Sequence, residues 1–264
     1  MTTKEWWGRK RASRSPFVAV ALGIAIQLAR FGVIVGALAV APMVGVSGWY
    51  AGLFANVACV LFAVALVTVL GLWRGSGSAR WWRSPLAALW LLPFVLEGAL
   101  RFALPGGIEV PPPGIALWTC TLLLASLNEE LVNRVAVLGV LGRTVGPTWS
   151  AVASAALFGL AHLSLLVTTP TRTADDILLN VLASAAFGFA LAAFQIRFRW
   201  VLSLVLVHAF ANASVIFTEV EMPFVGDVAI HAAFVLFGIL LLRTGQRGTV
   251  ARRNDGVLTR QRTE

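Results

Sequence analysis

Residues 114–141 read GIALWTCTLLLASLNEELVNRVAVLGVL. As one helix rising ~1.5 Å per residue, this stretch is long enough to cross a hydrocarbon core of ~30 Å, and its composition suits that solvent. Yet Glu129, Glu130 and Arg134 stand in its second half. An ionisable side chain at the bilayer centre costs about 2.5–3.5 kcal/mol on insertion scales, so such residues mark function or a paired structural contact.

The rest of the chain supplies the same solvent argument. Of its 264 residues 58% are hydrophobic and only 12% charged, against about 25% charged in soluble domains. Further apolar runs lie at about 17–41, 50–73, 85–104, 148–168, 177–196, 200–218 and 226–243, which makes eight spans. The breaks carry turn residues: Ser47-Gly48-Trp49, Arg74 to Ser84, Pro105 to Gly114, and Gly142 to Pro147. Only the loop at Arg197-Phe198-Arg199 is very short. The expected fold class is all-α: a polytopic integral membrane protein of about eight transmembrane helices. The domain reading is a basic tail over 1–16, a membrane domain over 17–243 and a second basic tail over 244–264.

Charge placement gives an orientation. With the N-terminus inside, the inner segments hold 17 of the 21 Lys and Arg residues, whereas the outer loops hold only Arg172 together with acids such as Glu109, Asp175 and Asp176. This asymmetry predicts both termini in the cytoplasm and a multi-pass protein of the plasma membrane. The net charge of +9 resides mostly in loops and tails, so the partner it implies is an anionic lipid surface, with no nucleic acid. The first span is longer than a signal-peptide core and contains Arg30, which favours an uncleaved helix. Cys59 and Cys120 form no ligand spacing and read as small apolar residues.

Several polar residues fall inside the spans. Glu97 and Arg101 are spaced i,i+4 and read as a structural pair; so do Asp227 and His231. Arg30 has no local partner, but is long enough to reach another span or to snorkel. In the fourth span Glu130 and Arg134 are an i,i+4 pair, while Glu129 points about 100° away and lacks a counter-ion on its own helix. A buried carboxylate in that state suits a general base. His162 shares a face with Phe158 in span five, and His208 with Asn212 in span seven. Counted from the inner ends, Glu129, His208 and His162 lie about 18, 12 and 21 Å deep, so one cavity can hold all three.

With these residues in place, the sequence resembles the CPBP family of CAAX prenyl and bacteriocin-processing (abortive-infection) intramembrane proteases. The family's three motifs are present in order: Glu129-Glu130-x-x-x-Arg134, Phe158-x-x-x-His162 and His208-x-x-x-Asn212. The likeness covers about 114–218. It implies a catalytic set of Glu129, His162, His208 and Asn212: Glu129 deprotonates a water, His162 positions it, and His208 with Asn212 binds the oxyanion. Glu130, Arg134 and Phe158 are supporting residues. It further implies a cavity open toward the cytoplasm and a peptide or membrane-protein substrate. A metal-free glutamate mechanism with no cofactor is favoured. The alternative is zinc on Glu129, His162 and His208, a donor set resembling His₂Glu sites, although no HExxH is present. Two non-proteolytic readings also fit a polar cavity in the bilayer: a membrane immunity or binding protein, and a transporter.

Overall fold

The computed structural model describes residues 15–260 except Pro170 and residues 219–221, with side chains described as far as Thr244. The basic tail expected over 1–16 therefore lies almost wholly outside the described residues.

Among the described residues the chain forms eight long helices. They are α1 Pro16–Val40, α2 Trp49–Val69, α3 Pro85–Phe102, α4 Ile115–Gly142, α5 Pro147–Thr168, α6 Ala174–Phe198, α7 Val201–Ile216 and α8 Phe224–Arg260. Seven of them are long and apolar enough to cross a membrane. This is an all-α, multi-pass membrane protein. The helix starts follow local chemistry. Ser15 caps α1 ahead of Pro16, Ser84 caps α3 ahead of Pro85, and Thr173 with Asp176 forms a capping box on α6.

One expectation needs correction. The seventh helix has 16 residues, about 24 Å at 1.5 Å per residue, and is shorter than the run expected over 200–218. It is short because α6 ends at Arg199, which takes a left-handed φ of 50°, and α7 begins two residues later. At its far end Phe217 and Thr218 turn into a backbone pairing with Ile108 and Glu109. The last apolar span ends at Thr244, beside the boundary expected at 243, and the backbone of α8 continues as helix to Arg260.

Helix α6 packs most heavily against α5 and α8, α7 against α3 and α4, and α2 against α1 and α4. The most apolar window of α6 is 50% buried and that of α4 39%, whereas the other five spans reach 28% at most. So α4 and α6 form the interior, and the large apolar side chains exposed on the other helices suit lipid. Close approaches fix the α5–α6 contact. A Cβ on Gly159 would lie 2.8 Å from Ala185 Cβ, and one on Gly188 would lie 2.6 Å from Phe158 Cδ1.

The two polar pairs read separately in the sequence are one network. Arg101 Nε lies 2.6 Å from Glu97 Oε1 on its own helix, and its NH2 group 2.7 Å from Asp227 Oδ1 on α8. His231 Nδ1 is 3.4 Å from Asp227 Oδ2. The network joins α3 to α8.

Candidate active site

The site is built on α4 at a change of helical pitch. Residues Ile115–Glu130 are α-helical, and Leu131–Val137 form a π-helical segment. A π segment widens the turn and disturbs the regular i→i−4 bonds, which leaves carbonyls in need of other donors. Side chains supply them. Asn133 Nδ2 donates to Glu129 O at 2.9 Å, and Ser154 Oγ of α5 donates to Asn133 O at 3.2 Å. Asn133 Oδ1 in turn accepts from Gln27 Nε2 of α1 at 2.6 Å.

Glu130 and Arg134 are completely buried, with Glu130 Oε2 3.2 Å from Arg134 Nε. The contact is a charge pair rather than an aligned hydrogen bond. The guanidinium also rests on the Phe158 ring, 4.6 Å from its centroid, a cation–π arrangement that helps a buried cation. Glu130 Oε1 lies 2.9 Å from His208 Nδ1. An ionised carboxylate only accepts, so Nδ1 carries the proton of that bond.

His208 therefore presents Nε2 to the other carboxylate, 3.5 Å from Glu129 Oε2. The second oxygen of Glu129 is held from α1: Arg30 NH2 lies 2.8 Å from Glu129 Oε1, and Arg30 Nε donates to Asn128 Oδ1 at 2.8 Å. Glu129 has no counter-ion on its own helix, as expected, and its partner is the Arg30 side chain reaching across from α1. Its cation stands 99 positions earlier in the chain, where helix periodicity does not reach. Gln27, Asn128, Asn133 and Ser154 were also missed. Gln27 and Arg30 share one face of α1 at i,i+3 spacing, and that was their available signal.

His162 stands where α5 tightens into a short 3₁₀ turn, His162–Ser164. Its Nδ1 lies 3.0 Å from Phe158 O, so Nδ1–H donates there and Nε2 keeps the lone pair. Phe158 packs edge-on against both imidazoles, with centroid distances of 5.1 Å to His162 and 5.9 Å to His208. Asn212 is half-buried one turn beyond His208 on α7.

Among the described residues no three His, Cys, Asp or Glu side chains form a group able to hold a metal ion. Glu129 Oε1 already faces a guanidinium, and His208 Nδ1 already faces Glu130.

Fold and site together define a multi-pass membrane protein with carboxylates and imidazoles enclosed by its helices. Residues 111–214 match the family model of the type II CAAX prenyl endopeptidase, Rce1-like proteins, a match that supports the CPBP, or CAAX protease, family for this segment. The segment includes Glu129, Glu130, Arg134, Phe158, His162, His208 and Asn212, and leaves out Gln27 and Arg30. In general terms the match supports an intramembrane protease of the CAAX type. No curated protein and no solved structure gave a match.

Proposed function

We propose that the chain is a metal-free glutamate endopeptidase that hydrolyses a peptide bond at the membrane through a water activated by Glu129. The observation that carries this reading is the placement of the Glu129 carboxylate. Oε1 is fixed by Arg30, and Oε2 is turned toward His208 Nε2 at 3.5 Å. One oxygen is thus held while the other is left for chemistry.

In the proposed reaction Glu129 takes a proton from water as the oxygen adds to the scissile carbonyl. The Nε2 lone pair of His162 accepts the water's other hydrogen and orients it. The oxyanion is met by the Asn212 amide and by His208 Nε2, which donates when the ring carries both protons. Such electrostatic stabilisation is usually the largest single contribution in acyl transfer. As the C–N bond breaks, Glu129 returns its proton to the leaving amine. Glu130 holds His208 by Nδ1, and Arg134 with Phe158 holds Glu130. The membrane domain spans 17–243, with the family core over about 114–218. Both termini face the cytoplasm of the plasma membrane, on the arginine asymmetry, and the site opens to that side. The substrate is a peptide or a membrane protein.

The test is turnover of a peptide library by the purified protein in lipid, with Glu129→Gln as the variant. Loss of a general base costs about 10²–10⁴-fold. Cleavage that persists in folded Glu129→Gln would sink the reading and favour a binding role for the same cavity.

A further inference from the structure

On another part of the molecule, the connection between α2 and α3 meets the turn between α6 and α7. A cavity of roughly 190 Å³ lies there, lined by Trp73, Arg74, Arg80 and Arg199 and by Gly75 and Gly77. Among the described residues, Arg74, Arg80 and Arg199 belong to its lining and no acidic residue does. Its volume is below the ~300–1,000 Å³ of pockets that take drug-sized ligands, so it suits a small group.

The walls are built in advance. Gln195 is buried; its Nε2 donates to Ser76 O at 2.7 Å, and its Oε1 accepts from Trp200 N–H at 3.1 Å. One amide thereby ties the connection to the turn. Ser76 Oγ closes the short helix Trp73–Ser76 by donating to Trp73 O at 2.9 Å. Gly77 has a φ of 74° and sits against the Arg199 carbonyl, where a Cβ would collide. Positive charge is crowded on this connection. The Arg83 guanidinium is pushed below its ordinary value by burial and by the charge of Arg80.

The cavity sits at span ends, among residues suited to the membrane–water boundary. Trp81 and Trp82 are 84% and 61% exposed, and Trp82 packs edge-on against Trp200 with centroids 5.7 Å apart. Amphipathic indoles at this level form the aromatic belt of membrane proteins.

We propose that this cavity binds a phosphate group at the membrane surface, carried by an anionic phospholipid or present as free inorganic phosphate. Guanidinium forks match phosphate oxygens in geometry as well as in charge. With no carboxylate among the described lining residues to receive a choline ammonium, an anionic headgroup is preferred to a zwitterionic one.

The experiment uses the full chain in nanodiscs of phosphatidylcholine alone or mixed with phosphatidylglycerol. Lipid retention is read by native mass spectrometry. The variants are Arg74→Gln/Arg80→Gln and the charge-matched Arg9→Gln/Arg11→Gln. Wild type should retain phosphatidylglycerol over phosphatidylcholine by roughly tenfold, with the preference lost in the first variant and kept in the second. If the source is free phosphate, that preference is absent. Millimolar phosphate in phosphatidylcholine discs should then raise the unfolding midpoint of wild type and of the second variant, but not of the first. Neither effect in wild type, or equal losses in both variants, overturns the proposal. Should Arg74→Gln/Arg80→Gln fail to fold, wild type is labelled with photoactivatable phosphatidylglycerol. Crosslinks at residues 73–80 support the site, and crosslinks confined elsewhere overturn it.

Discussion

Arg30 on α1 and Glu129 on α4 form an ion pair of 2.8 Å, and the same guanidinium donates to the neighbouring Asn128 side chain. The pair links a helix outside the matched family segment to the carboxylate proposed as general base.

Arg30→Gln should lower kcat more than it raises KM, because it releases the carboxylate without touching the substrate. A misplacement of about 1 Å costs on the order of 10²-fold. Arg30→Lys should recover only part of the rate, since one ammonium cannot reproduce the two-nitrogen grip on Asn128 and Glu129. Steady-state kinetics on a cleaved peptide would check both. Equal rates for Arg30→Gln and wild type would remove Arg30 from the machinery.

The Glu130–Arg134 pair has no access to solvent. Removing one member of a buried pair strands the other and costs about 3–5 kcal/mol, whereas replacing both is far milder. Arg134→Met should therefore lower the unfolding midpoint strongly, and Glu130→Gln/Arg134→Met less so. Thermal unfolding in detergent compares them. A double variant less stable than the single one contradicts this account.

Gly188→Ala should impair cleavage without altering any charge. The added Cβ would stand 2.6 Å from Phe158 Cδ1 and displace the ring that packs on both histidines. Overpacking of this kind costs about 1–3 kcal/mol. Gly36→Ala is the control, because nothing lies within 4 Å of its Cβ position. It should leave the rate unchanged.

Arg101→Met breaks the pair with Glu97 within α3 and the pair with Asp227 that joins α3 to α8. The effect should be on stability alone: a lower unfolding midpoint, with kcat per folded molecule retained. A large drop in kcat at full folding would mean that this network reaches the site.

Chelation separates the proposed mechanism from its zinc alternative. Activity should survive prolonged treatment with 1,10-phenanthroline. Loss on chelation and recovery on adding zinc would overturn the metal-free reading.

The membrane character was legible because hydropathy and breaks are local properties: the runs around Glu129, His162 and His208 show it without any tertiary information. The three motifs were legible for the same reason. Partnership across the fold was not. Arg30 looked unpaired because Glu129 lies on another helix, and Glu97–Arg101 looked separate from Asp227–His231 because each pair satisfied i,i+4 spacing alone. The pitch change at Leu131–Val137 left no trace in composition, since α and π turns accept the same residues. The length of α7 escaped because Trp200 and Phe217 are as apolar as the helix they bound.

The wide turn at Leu131–Val137 makes α4 sensitive to residue count as well as residue identity. Excising one residue from it would let the segment relax to ordinary α geometry. A residue excised from the regular α turns beside it finds no such slack, and everything beyond the cut would swing by about 100° relative to Glu129 and Glu130. Hydropathy would be almost unchanged and the chain would still insert, yet the groups on either side of the excision would no longer meet. In this helix an indel far from any surface loop disarms the centre more thoroughly than most point substitutions.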